Sequence, residues 1–174
     1  MGWFWCFALY SLAGFGLEEL FGWLTGGRMD RKCLRVLPLC PVYGLGACGI
    51  LLLPGWVTAR PLLLFLLGGL TATAVEYCMA LWYEEGLGVS FWDYRGLPGS
   101  VQGRVCLPFS LVWSVLALGL VYGVHPWLSP WLEAIPGPVS WCALAAVAAD
   151  ILLSGVLLRR TGDRDALRWR SRSA

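Results

Sequence analysis

Two carboxylates stand where hydropathy leaves no room for charge. Glu18 interrupts the apolar run 3–24, and Glu76 interrupts the apolar run 62–83. An acid at bilayer depth is costly and demands a partner, a proton or water. Two readings of this pair stay open. In one, each carboxyl hydrogen-bonds a neighbouring helix or pairs with Arg104, which fixes the bundle. In the other, Glu18, Tyr43, Glu76, Asp93 and Arg104 form a substrate or ion site for a cation, a proton or an amine. A second polar island, from Phe91-Trp92-Asp93-Tyr94 to Gly103-Arg104-Val105-Cys106, is richer than a turn requires. There Asp93 has two open readings: it caps the next segment or a turn, with the aromatics at the interface, or it pairs with Arg104. Trp92, Tyr94 and Gly103 are expected to shape a loop or lid over the same face.

Catalysis by this chain is not expected. His125 is the only histidine, it precedes a proline, and no serine–histidine–acid set gathers near the acids. Lys32 is the only lysine and lies outside any phosphate-binding loop. The 7 cysteines show no metal-ligand spacing. We therefore expect no catalytic residues, no metal and no cofactor. Nucleic acid is not an expected partner.

Around these residues the chain is apolar: 58% of its 174 residues are hydrophobic and only 14% are charged. Apolar runs approach the ~20 residues that a bilayer-spanning helix needs. The expected fold is an all-α integral membrane protein of about five transmembrane helices, at 3–24, 37–57, 62–83, 105–123 and 139–158. Residues 1–158 form one helical domain and 159–174 a basic cytoplasmic tail. Pro38, Cys40 and Pro41 predict a kinked or late helix entry at the second span, because proline removes backbone donors. His125 to Pro138 is expected to be a proline- and tryptophan-rich connection. No basic segment opens the chain, so a cleaved leader is not expected.

With the N-terminus outside and the C-terminus cytoplasmic, every Lys and Arg except Arg60 falls on the inner side, as the positive-inside rule prefers. The same topology brings Glu18, Tyr43, Glu76, Asp93 and Arg104 to one depth. Asp150, in the fifth run, is read as structural. Arg35-Val36-Leu37-Pro38 echoes Arg104-Val105-Cys106-Leu107-Pro108, and this alignment sets Tyr43 against Trp113.

Three blocks, in this order, carry a family resemblance. They are Tyr10-Ser11 through Gly14 and Glu18; Pro38-Leu39-Cys40-Pro41-Val42-Tyr43-Gly44; and Glu76-Tyr77 followed by Phe91-Trp92-Asp93-Tyr94 and Gly103-Arg104-Val105-Cys106-Leu107. Over residues 3 to 127 the chain resembles the putative ABC-transporter permease family called type IV. The family's asparagine-rich run before the Gly-Arg pair is replaced here by Ser100-Val101-Gln102. The resemblance implies a multi-pass protein of the bacterial inner membrane and a permease or transport component. A separate ATPase subunit is then a possible partner, since the chain carries no nucleotide motif. Five helices make a thin wall around a solute path, which points to a homo-oligomer in the lipid bilayer. The alternative function is a non-transporting membrane scaffold or sensor that docks partners through the 84–104 loop.

Overall fold

The computed structural model describes residues 1–26 and 34–167. Arg28, Arg31, Lys32 and Cys33 of the first polar loop, and Arg168, Arg170 and Arg172 of the tail, lie outside the described residues. Four helices are long and apolar enough to cross a membrane: α1 (Gly2–Thr25), α3 (Pro61–Gly86), α4 (Leu107–Glu133) and α5 (Gly137–Thr161). Between the first two lies the shorter α2 (Pro41–Leu51). No strand occurs among the described residues. Glycine ends α1 and α5: Gly26 and Gly162 take φ of 62° and 61°, the left-handed turn that closes a helix. Proline opens α2 to α5, where the missing N–H costs nothing. Leucines such as Leu62, Leu70 and Leu152 point outward from the helices, an apolar surface that suits lipid and not water.

The second apolar stretch differs from the expected span at 37–57. Its helix holds 11 residues, about 16 Å of rise against a hydrocarbon core of about 30 Å. It packs antiparallel to the first half of α1. Tyr43 lies over Gly14, Gly44 lies against Phe7 and Ser11, and Cys48 Sγ approaches the Trp3 carbonyl at 4.0 Å. The N-terminus of α2 therefore sits halfway along α1, and residues 34–40 pass that level as non-helical chain.

Backbone N–H groups at such a depth must find partners inside the protein. Asp150, midway along α5 and 4% exposed, supplies them. Its carboxylate accepts Val36 N–H at 3.0 Å and Leu37 N–H at 2.6 Å. Ser154 Oγ, one turn on, accepts Arg35 N–H at 2.8 Å. The Ser11 carbonyl of α1 accepts Cys40 N–H at 3.0 Å. Asp150 is thus a backbone receptor that clasps α5 to the entry of α2.

The fourth helix also runs further than the expected 105–123. It continues through His125 and Pro126 to Glu133, passing a π turn at Leu120–Val124. The wider turn already displaces the hydrogen-bond ladder, so the missing donor of Pro126 costs less there. Tyr10 Oη bonds His125 Nδ1 at 2.9 Å, and Leu132 is buried, which hold this extension on α1. Two more π turns, at Leu64–Gly68 and Trp82–Gly86, interrupt α3. The centre of the bundle joins Tyr10, Ala47, Ile50, Leu64, Ala72, Trp113 and Ala117, with alanines letting the helices approach.

Candidate functional site

The site grows outward from Glu76. Its side chain projects from α3 into the bundle and is 4% exposed. Trp113 of α4 donates its indole N–H to Oε2 at 2.9 Å, and Tyr94 donates its hydroxyl to Oε1 at 3.1 Å. Tyr94 belongs to the 88–106 loop, so this loop reaches into the bundle and does more than cover it. Burial and then the neighbouring Glu76 carboxylate push the Tyr94 hydroxyl well above its ordinary range. The phenol therefore keeps its proton and remains a donor.

Glu18 enters from α1. Its Oε1 accepts the Tyr43 hydroxyl at 2.9 Å. The Tyr43 ring meets the Trp113 ring at a centroid distance of 4.9 Å, so the two carboxylates share one aromatic partition. Gly14 permits this, because any side chain at that position would run into the Tyr43 ring. Tyr94 stacks on Phe109 at 4.8 Å, and Phe109 meets Phe21 of α1 edge-on at 6.2 Å. Carboxylates and aromatic faces from α1, α2, α3, α4 and the loop converge on one volume. Carboxylates attract a cation by charge, and ring faces attract it through their quadrupoles.

The other two charged candidates lie outside this cluster. Arg104 bonds Glu84 through Nε at 2.8 Å and Nη2 at 2.7 Å, and its Nη1 reaches the Tyr77 hydroxyl at 3.2 Å and Gln102 Oε1. Its guanidinium also lies 5.4 Å from the Tyr77 ring centre. Glu84, Tyr77 and Gln102 thus hold Arg104, in place of Asp93, Glu18 or Glu76. The Glu84 hydrogen bond holds the guanidinium even more firmly protonated than usual. Asp93 turns outward to Arg95, accepting its backbone N–H at 3.0 Å and its side chain at 3.1 Å. These bonds, the backbone one first, hold the Asp93 carboxyl below the usual range. Sequence separation explains the choice: an Asp-to-residue-i+2 turn closes locally, at little entropic cost.

Trp92 and Gly103 shape the loop. The Trp92 indole donates to the Arg104 carbonyl at 2.7 Å, and Tyr94 N–H bonds the Gly103 carbonyl at 2.8 Å. Val101 and Val105 face each other across a tight turn whose two central residues, Gln102 and Gly103, have φ of 54° and 77°. Asparagine adopts that conformation more readily than glutamine. Gln102 stays there while its side chain bonds Tyr77 and Arg104. Pro38, Cys40 and Pro41 form the entry of α2: Cys40 is its N-cap and Pro41 its first residue.

Glu18, Tyr43, Glu76 and Tyr94 therefore come together, whereas Asp93, Arg104, Trp92 and Gly103 build the loop around them. Trp113 and Phe109 escaped the sequence reading because both sit in an unbroken apolar run. The one signal for Trp113 was its alignment with Tyr43 in the internal echo.

A family model described as "Putative ABC-transporter type IV" matches residues 5–156. No curated protein and no solved structure matches the chain.

Proposed function

Because the chain belongs to the putative ABC-transporter type IV family, we propose that it is the permease component of a transport system, with a cationic solute meeting Glu18 and Glu76 inside the bundle. One observation carries this reading: two intramembrane carboxylates and the rings of Tyr43, Tyr94 and Trp113 converge from four helices and a loop. A bundle that needed only cohesion would gain more from apolar packing than from a buried Glu76 and a half-buried Glu18.

In this reading the protein is a multi-pass component of the bacterial inner membrane, N-terminus outside and C-terminus cytoplasmic. The second crossing is part helix and part non-helical chain. Half-length helices ending beside a polar site are a recurrent device in transporters. The chain itself performs no catalysis, and a separate ATPase subunit supplies hydrolysis. Arg95, Leu97 and Val101 are exposed on the loop and offer that subunit a docking surface. A homo-oligomer completes the wall around the path. The same exposed loop surface supports the runner-up reading, a scaffold or sensor without transport.

The test is tryptophan fluorescence of the full chain in nanodiscs, titrated with sodium, potassium, methylammonium, guanidinium and tetramethylammonium. A saturable change that Glu18→Gln and Glu76→Gln each abolish, in chains that stay folded, supports the cation site. Silence with all five probes, or an unchanged response in both variants, removes it.

A further inference from the structure

A second feature lies apart from the acid cluster and does not depend on it. An apolar groove of about 290 Å³ separates α5 from the facing ends of α2 and α3. Ile151, Gly155 and Leu158 form its α5 wall, and Met79, Trp82 and Phe91 stand opposite. The α5 wall begins one residue past Asp150, at mid-helix, and covers about 10 Å of axis. The groove therefore occupies the half of the span that ends beside the 88–106 loop.

Size and chemistry restrict the occupant. An α-helix is about 10 Å across, so a slot of this volume cannot admit one from a partner. Water has too few polar partners there. Polar groups are few in the lining: Ser154, whose oxygen already accepts Arg35 N–H, and the single polar atoms of Trp82 and Tyr83. An extended hydrocarbon chain fits both the width and the lining. Charge then selects the headgroup. Arg159 is exposed in the last turn of α5, directly after Leu158. Arg164 donates from Nη1 to the Phe91 carbonyl at 3.1 Å, at the same end. Basic side chains at the membrane boundary favour anionic lipids over zwitterionic ones.

We propose that this groove holds one acyl chain of an anionic phospholipid, with its phosphate met by Arg159 and Arg164. The last helix is then joined to the bundle through the Asp150 and Ser154 clasp and, along the groove that Ser154 also lines, through lipid as well.

Native mass spectrometry of the full chain tests this, after incubation with vesicles of equal phosphatidylglycerol and phosphatidylcholine. The wild type should retain one phosphatidylglycerol with at least tenfold preference. Arg159→Gln and Arg164→Gln should each lower that preference about fivefold without lowering phosphatidylcholine retention. Nothing lies within 4 Å of a Cβ added at Gly155, so Gly155→Phe should fill the groove and expel both lipids. Met79→Trp fills it from the opposite wall and serves if the first variant does not fold. Equal retention of the two lipids by the wild type overturns the proposal. So does full retention by either folded filler, or a wild-type dimer that Gly155→Phe dissociates, which would make the occupant a second copy.

Discussion

Replacing Asp150 should loosen the protein at a place far from Asp150 in sequence. In Asp150→Ala the N–H groups of Val36 and Leu37 lose the acceptor that now stands at 3.0 Å and 2.6 Å. Each orphaned donor costs about 1–3 kcal/mol where water cannot replace the partner, so the loss is about 2–6 kcal/mol. At about 2–4 °C per kcal/mol for a chain of this size, the melting midpoint should fall by roughly 10 °C. Asp150→Asn keeps one carbonyl oxygen and should fall about half as far. A local readout separates this from general damage. Cys40 and Cys106 are 0% and 1% exposed, and each can be kept as the sole cysteine. Maleimide should label Cys40 at least tenfold faster in Asp150→Ala, while Cys106, at the entry of α4 and outside the clasp, keeps its wild-type rate. An unchanged midpoint with Cys40 still protected would refute the clasp. Equal acceleration at both cysteines would refute its local character.

Four further outcomes follow from the same geometry. Glu76→Gln leaves one oxygen for two donors: with that oxygen on the Trp113 indole, the Tyr94 hydroxyl must turn to accept from the amide and loses its charged acceptor; it should cost about 1–3 kcal/mol in a denaturant titration and end any cation response. Arg104→Ala removes the partner that Glu84 now holds at 2.7 Å and the bonds to Tyr77 and Gln102; solvent screening keeps the effect modest, a small drop in the melting midpoint that shrinks further in high salt. Gly103→Ala forces a side chain into a φ of 77° and to within 2.7 Å of Asp93 Oδ1, costing about 1–2 kcal/mol and exposing the loop to proteolysis before the helices. Asp93 has a lowered folded pKa, so its contribution is present above the ordinary carboxylate value of about 3.9 and is lost as pH falls through the lower folded value; a carboxyl carbon titration by NMR should show no Asp93 transition between pH 5 and 8, and a midpoint above about 4 contradicts the Arg95 contact.

Much of this architecture was legible in the residues because hydrocarbon makes strong demands. Glu18 and Glu76 stood out as acids in apolar runs, and prolines at 38 and 41 marked a late helix start. What stayed hidden was hidden for physical reasons. The depth at which α2 begins depends on how Tyr43 and Gly44 dock on α1, which no local pattern encodes. Asp150 looked isolated because its partners are backbone N–H groups, and backbone leaves no mark in a sequence. Of the two readings of Asp93, the structure takes the turn cap over the Arg104 pair: Arg95, two residues away, satisfies Asp93 at lower entropic cost. The extension of α4 through Pro126 and Pro130 needed the π turn before it, and no proline rule anticipates that.

The π turn at Leu64–Gly68 sets how α3 tolerates a change of length. A π turn holds one residue more than the helix needs there. Deleting one residue from that stretch should restore an ordinary turn, with the faces above and below still pointing as before. Deleting one between Gly69 and Val75 has no such slack to absorb it. It would swing Glu76 about 100° around the axis, away from Trp113 and Tyr94. Indels in this helix should therefore be accepted only where a surplus residue is already stored.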